Sequence, residues 1–348
     1  MNIEKLIRPS VLTMNAYVSA RHEIKGDEHT FLDANEFPEG DWNRYPDPFQ
    51  TELREKIARQ KGVNAENVFL GNGSDEVLDL LFRVFCTPGQ DRALQFTPTY
   101  GMYRVLAQLN DVELLSIPLT KDGDLPLDES LENYLENCQF KLTFVCSPNN
   151  PLGTLVKLNE LIRLLEYTSG LVVVDEAYID FASAESVINL IEEFPNLVVV
   201  QTMSKAWASA GLRIGMAYAQ AEVIEWLNKV KPPYNISGPN AQLAIQKLNE
   251  TSHQSAIKEL VRRRRTLRSA LAKLACVEFI YPSETNFLLI KSALASEIKT
   301  FLNERQIIIR DRSSDVKNTI RISVGTEEEC DRLVKLIQQF ENEESTVY

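Results

Sequence analysis

Lys205 follows a short apolar run, in the stretch Thr202-Met203-Ser204-Lys205-Ala206-Trp207-Ala208-Ser209-Ala210-Gly211-Leu212-Arg213. A lone lysine is ordinarily a solvated surface residue. This one comes just past the C-terminal end of Leu197–Gln201 (LVVVQ), the place where open α/β sheets bind ligands. Thr202 and Ser204 supply hydroxyl donors and Arg213 a guanidinium fork, and together they could hold a phosphate. A lysine beside a phosphate cradle points to a Schiff-base aldehyde cofactor, pyridoxal phosphate (PLP).

Four other stretches could serve the same ring. Asp175 closes the run LVVV at 171–174, where a carboxylate is costly unless a cation or donors meet it. It could be a helix N-cap, or the counter-ion of a pyridinium nitrogen that keeps the ring an electron sink. Tyr178, three residues on, could reach the ring's phenolic oxygen or simply pack in a core. Cys146-Ser147-Pro148-Asn149-Asn150-Pro151-Leu152-Gly153 reads as a turn, and Asn150 could present its amide to the same oxygen. In Gly71-Asn72-Gly73-Ser74-Asp75-Glu76 a glycine turn opens a helix whose N–H groups suit an anion; Ser74 could equally be only a cap, with Asp75 and Glu76 complementing the dipole. It is not a dinucleotide fingerprint, because Glu76 occupies the sixth position where glycine is required. Both carboxylates would oppose a phosphate, so Arg213 must offset them. Tyr100, in Thr97-Pro98-Thr99-Tyr100, could stack on a flat heteroaromatic ring or belong to the core.

These five loops have to converge, and the intervening pattern supplies the means. Short apolar runs at 67–70, 92–96, 113–117, 141–146, 171–174, 197–201 and 213–219 alternate with helical candidates at 75–86, 100–109, 127–137, 158–168, 186–194 and 221–230. Continuous Val/Leu runs indicate strands buried on both faces of a mainly parallel sheet sandwiched by helices. Each loop above follows a strand's C-terminal end. After Lys231-Pro232-Pro233 the pattern changes to a long helix over about 239–274, strands near 277–281, 286–290, 306–309 and 319–324, and helices near 294–304 and 327–341, a smaller α+β domain. The expected division is 1–40, packing with the small domain; 41–238, the large domain; and 239–348. The four arginines 262–265 point about 100° apart on a helix and read as a solvated surface rather than a nucleic-acid stripe.

Composition restricts the function further. The chain has 348 residues, 44% apolar and 25% charged, with net charge −12, which is globular usage and argues against nucleic acid or an anionic membrane as partner. No run approaches the ~20 apolar residues of a membrane span. The first residues, with charges and a proline, lack a signal peptide's apolar block. Five scattered cysteines without a CxxC pair argue against a metal site or disulfide framework and for the cytoplasm. The histidines are His22, His29 and His253, so acid–base work falls to Lys, Tyr, Asp or a cofactor.

The motifs LDANEFP (32–38), RYPDP (44–48), GNGSDE, PTYGMY, SPNNPLG, VVVDEAY, SKAWASAGLRIG, ETNFLL (284–289), IIIRDR (307–312) and TIRISVG (319–325) run in order over nearly the whole chain. Together they resemble the fold-type I PLP aminotransferases, and among these the histidinol-phosphate aminotransferase family. The resemblance implies that Lys205 carries PLP as a Schiff base and shuttles the proton. It implies that Asp175 pairs the pyridine nitrogen, that Tyr178 and Asn150 contact the phenolic oxygen, and that Tyr100 stacks on the ring. The phosphate would be held by Gly73, Ser74 and Asp75 at the helix start, by Thr202 or Ser204, by Arg213, and by Tyr45 from a neighbouring subunit, making the active protein a homodimer. Tyr17, Asn35, Tyr45, Arg310 and Arg321 would bind substrate. Arg310 supplies the extra charge a phosphate dianion calls for, or else forms a surface ion pair with Asp311. The activity implied is transamination between L-histidinol phosphate and 2-oxoglutarate, with an aromatic amino-acid aminotransferase or a threonine-phosphate decarboxylase-like enzyme as the alternative. Leu152 stands where the family mostly has Thr, a change in loop packing.

Overall fold

A computed structural model describes residues 2–17 and 29–347; residues 18–28, with His22, lie outside them. The strands are β1 (Val68–Asn72), β2 (Arg92–Thr97), β3 (Glu113–Pro118), β4 (Phe140–Cys146), β5 (Leu171–Asp175), β6 (Leu197–Thr202), β7 (Ile214–Tyr218), β8 (Phe279–Ile280), β9 (Phe287–Lys291), β10 (Arg310–Asp311) and β11 (Thr319–Ser323). The α-helices are α1 (Pro9–Thr13), α2 (Thr51–Lys61), α3 (Ser74–Phe85), α4 (Met102–Leu109), α5 (Glu129–Asn137), α6 (Leu158–Tyr167), α7 (Ala221–Val230), α8 (Gly238–Leu248), α9 (His253–Leu271), α10 (Ala295–Glu304) and α11 (Glu327–Val347).

The strands β1 to β7 form one sheet in the order β1-β7-β6-β5-β4-β2-β3. Strands β2 to β6 run parallel. β7 is antiparallel to both β6 and β1, and the two reversals cancel. The C-terminal ends of β1 to β6 therefore share one edge of the sheet.

The valine runs explain why this sheet is doubly covered. Along β5, Leu171 and Val173 enter one apolar cluster while Val172 and Val174 enter another; along β6, Val198 and Val200 oppose Leu197 and Val199 in the same way. This is the alternation of a pleated strand, with both faces apolar. Helix α3 presents Val77, Leu78, Leu81 and Phe82 to the first face, and α6 presents Leu161, Leu164 and Leu165 to the second. β8 to β11 form an antiparallel sheet with its own core, in which Leu267 and Leu271 of α9 meet Leu288, Ile290, Ile320 and Ile322.

Several sequence expectations are corrected. Residues 3–12 pack on the large sheet's layer, not on the smaller unit: Ile3, Ile7 and Val11 join the cluster of Phe82 and Val84, and the Arg8 amide donates to the Val84 carbonyl at 2.9 Å. An apolar i, i+4 stripe predicts burial but not the surface that accepts it. The helix expected over 239–274 is two helices broken at 249–252, where Asn249, Thr251 and Ser252 are poor interior helix formers. α8 packs on the large sheet's core through Ala241, Ala244 and Ile245, so the change of unit falls at this break rather than at 238. Residues 187–191 form a 3₁₀ turn instead of an α-helix. The strand expected at 306–309 is absent, because Gln306 adopts φ 62° and Ile308 is 79% exposed; pairing begins at Arg310. Among the described residues, no helix is long and apolar enough to cross a membrane.

Candidate active site

Lys205, Asp175, Tyr178, Asn150, Tyr100, Ser74 and Arg213 come together at the shared edge of the large sheet, where β9 and β11 of the smaller unit approach it. Asp175 is the last residue of β5 and is 3% exposed. Burial pushes its carboxyl above the ordinary value. Two donors oppose that shift: the Tyr103 hydroxyl at 2.7 Å on Oδ2 and the Ala177 amide at 3.1 Å on Oδ1. Tyr103 is itself fully buried and stacks on Phe144, centroids 4.8 Å apart. The helix-cap reading of Asp175 fails, because no α-helix starts here; its short reach to the Ala177 amide only shapes the turn.

Lys205 lies on the loop after β6, its Nζ 5.7 Å from the centre of the Tyr178 ring. Burial of the amine is the largest influence lowering its pKa; the Arg321 guanidinium adds to the lowering, and Asp175 acts in the opposite sense. Lysine and aspartate thus feel one another's charge from different strand ends.

The Tyr178 hydroxyl accepts a long hydrogen bond, 3.5 Å, from Asn150 Nδ2. The other end of that amide is fixed by Arg321, whose Nη1 donates to Asn150 Oδ1. A guanidinium can only donate, so it orients the amide with its nitrogen toward Tyr178. Asn149 holds the loop: its Nδ2 donates to the Pro98 carbonyl at 3.1 Å, and its Oδ1 accepts the Leu152 amide at 2.9 Å. Leu152 is buried, as a packing change requires. Phe287 of β9 closes the group, edge-on to Tyr178 at 5.3 Å and beneath Arg321 at 5.1 Å.

The anion cradle forms where β1, β6 and β7 meet the start of α3. Gly73 has φ 81°, and a Cβ there would fall 2.4 Å from Arg213 Nη2. Glycine thus lets a guanidinium lie against the helix N-terminus. Arg213, at φ 55°, donates from Nη1 to the Ala210 carbonyl at 3.2 Å and to Ser204 Oγ at 3.5 Å; its Nη2 lies 4.0 Å from Asp75. The Thr202 hydroxyl is engaged, donating to the Ile214 carbonyl at 3.3 Å and accepting the Ser204 amide at 3.1 Å. Of the two acidic residues, Glu76 is turned toward Asn235 Nδ2, at 2.8 Å, and Asp75 accepts the Tyr100 hydroxyl at 3.1 Å. Glu76 also accepts the Asn72 amide at 2.5 Å, so both carboxylates are hydrogen-bonded, and Arg213 faces Asp75.

Arg310 and Arg321 are direct partners across β10 and β11. Arg310 and Arg312 both add positive potential at Arg321. The Asp311 carboxylate instead accepts the Ser313 amide at 2.8 Å. Tyr17, Asn35 and Tyr45 are not brought to this group within one chain. Tyr17 is 68% exposed, beside Phe49 and Lys229. Asn35 and Tyr45 line another cleft, where Tyr45 stacks on Tyr234 at 4.4 Å. Sequence reasoning missed Tyr103, Phe287 and Arg312. Tyr103 and Arg312 stood within quoted motifs and Phe287 within ETNFLL, but nothing local marks their partners.

Comparison with known proteins gives the family. The family model described as aminotransferase class I and II matches residues 14–337. The histidinol-phosphate aminotransferase of Cytophaga hutchinsonii is 43% identical, covering 97% of this chain and 99% of that one. The histidinol-phosphate aminotransferase structure from Clostridium acetobutylicum superposes with TM-score 0.79 at 20% identity, over 87% of this chain and 92% of that one. That from Sinorhizobium meliloti, a complex with pyridoxal-5'-phosphate, gives 0.75 at 21%, over 85% and 84%. With lysine, aspartate and arginine in place and the match running almost end to end, the chain belongs to the aminotransferase class I and II family, alongside the histidinol-phosphate aminotransferases.

Proposed function

We propose that this protein is a PLP-dependent transaminase that moves the amino group between L-histidinol phosphate and 2-oxoglutarate, yielding imidazole-acetol phosphate and L-glutamate, in histidine biosynthesis. The observation that carries the reading is the joint placement of Lys205 and Asp175 with an anion cradle on one side and the arginine pair on the other. PLP, when bound, supplies an electrophilic aldehyde and an electron sink for the bond-breaking at the substrate's α-carbon. The donor set fits it: a buried carboxylate for the ring nitrogen, a phenol and an amide for the ring oxygen, and helix amides, hydroxyls and a guanidinium for the phosphate.

The chain's residues then have distinct tasks. Asp175 holds a negative charge against the ring nitrogen, the Tyr103 hydroxyl opposing the upward push of burial on its pKa. Lys205, its pKa lowered by burial and by Arg321, has the free amine needed to take a proton from the α-carbon and return it two atoms further on, across the nitrogen. Tyr100 covers a ring face. Ser74, Ser204 and Arg213 fix the phosphate end, with Tyr45 of a second subunit, while Thr202 orients the Ser204 amide. Arg310 and Arg321 grip the substrate's anionic end, a phosphate in one half-reaction and a carboxylate in the other. We place Tyr17 and Asn35 at the substrate side through the dimer. The unpaired cysteines support a cytoplasmic setting.

A transamination assay with 2-oxoglutarate as acceptor tests this. Histidinol phosphate is expected to be preferred over phenylalanine, tyrosine and histidine, and Arg310→Ala to erase most of that preference. Lys205→Ala is expected to abolish turnover and the yellow absorbance of the purified protein. Equal rates on all four donors would overturn the substrate assignment, and an active Lys205→Ala the whole mechanism.

A further inference from the structure

We infer that a second cleft, between the large sheet's unit and α9, is a binding site for a small polyanion of linked phosphates. The cleft has a volume of about 830 Å³ and opens to solvent, within the usual range of small-molecule sites. One wall is α9; the other is the 180–183 turn with the end of α2.

Its charge is unusual for this chain. Six cations line it, Lys61, Lys258, Arg262, Arg264, Arg265 and Arg268, against two carboxylates, Asp180 and Glu284, a surplus of four in a protein of net charge −12. Both carboxylates are occupied. Asp180 lies 3.7 Å from Lys61, and Glu284 accepts the Ser183 amide at 2.9 Å with Arg264 at 3.8 Å. Arg262 is held by Glu259, which lies outside the cleft, at 2.8 Å. Arg264 also donates to the Thr285 carbonyl at 2.6 Å, and Arg268 donates to the Tyr281 carbonyl at 2.8 Å, which leaves the Arg268 charge uncompensated. Arg264 is only 6% exposed, a guanidinium built into the wall. Lys258 and Arg265 have no ion-pair or hydrogen-bond partner among the described residues.

The spacing restricts the ligand. Lys258, Arg262 and Arg265 stand at i, i+4 and i+7 with Arg268 one turn further, so they share a face of α9 even though four successive arginines cannot. Lys258 and Arg265 are about 10.5 Å apart along the helix axis. Charge spread along a line suits several linked phosphates better than one. His253 forms an aromatic wall, stacked on the buried Trp207 with centroids 3.5 Å apart, so the source could be a nucleotide or an inorganic phosphate chain.

The test is calorimetric titration of the PLP-loaded protein, its active-site cradle filled, with tripolyphosphate and separately with ATP. Saturable binding with Kd below about 1 mM is expected. Lys258→Glu with Arg265→Glu, both exposed side chains, is expected to weaken it by about tenfold or more, while Arg310→Ala leaves it intact. Equal affinities for the two probes identify the phosphate chain as the whole ligand; tighter ATP binding adds a base on His253. Either supports the site. Absence of saturable binding up to about 10 mM, a change below threefold in the double variant, or loss of binding in Arg310→Ala would overturn it. A preserved melting temperature shows that the double variant is folded. None of these outcomes depends on which amino donor the enzyme prefers.

Discussion

Tyr103 favours the ionised form of Asp175 against the effect of burial. A carboxylate 3% exposed at a strand end would take up a proton unless donors meet it, and the phenol hydroxyl is the nearest side-chain donor, at 2.7 Å. Removing it has two consequences of known sign. Tyr103→Phe loses a hydrogen bond to a charged group, worth about 1.5–3 kcal/mol, so the melting temperature falls. The bond also lowers the Asp175 pKa, so its loss raises it. The ionised form then persists only at higher pH, and the acid limb of the kcat profile is expected to move upward. A purely structural tyrosine would change the melting temperature and leave that limb in place. Asn150 shows a related economy: Arg321, assigned to substrate, also sets which end of the amide faces Tyr178, so Arg321→Lys is a change at two places at once.

The junction of α3 with β7 decides whether the anion cradle exists. Gly215 of β7 is so close to the preceding turn that a Cβ would lie 2.2 Å from the Ser74 amide nitrogen and 2.3 Å from the Gly73 carbonyl carbon. Both neighbours are backbone, so neither can swing aside. Gly215→Ala is expected to lift the helix N-terminus away from Arg213, destabilise the fold by about 1–3 kcal/mol, and weaken retention of PLP on dialysis. A thermal melt and the residual yellow absorbance measure the two effects. The antiparallel placing of β7 makes this contact possible, since it brings residue 215 opposite Thr202 on one side and Gly71 on the other. Here the fold serves the site by an intimate backbone approach that only glycine permits.

At the scale of the whole molecule, Tyr45 is the residue whose proposed place depends on a second copy of the chain. Tyr45 is 48% exposed and stacks on Tyr234 in a cleft separate from Lys205. Its proposed role requires a second subunit. Mixing two impaired variants distinguishes the arrangements. A hybrid of Lys205→Ala with Tyr45→Ala has one site with both native residues if Tyr45 acts across the interface, and none if it acts within its own chain. Co-refolding the two variants is therefore expected to recover about a quarter of wild-type activity, from a statistical half of hybrids with one good site each. Recovery no greater than the sum of the parents would exclude the shared site.

Much of the placement of the candidate site was legible because it sits where residue type and strand end coincide. Lys205, Asp175, Asn150 and Tyr100 each follow an apolar run, and runs such as LVVV declare strands buried on both faces through their composition alone. The mainly parallel sheet and the common edge follow from that alternation. Tyr103 did not announce itself, since its partner is 72 positions away and a tyrosine on an amphipathic helix looks like any core aromatic. The docking of residues 3–12 on the large sheet, the break between α8 and α9, the reversal of β7 and the basic cleft were equally hidden. Periodicity, caps and residue types act over a few neighbours and are written in the chain. The choice of which apolar faces meet depends on shape and buried area between distant segments, and that became visible only once the elements were packed.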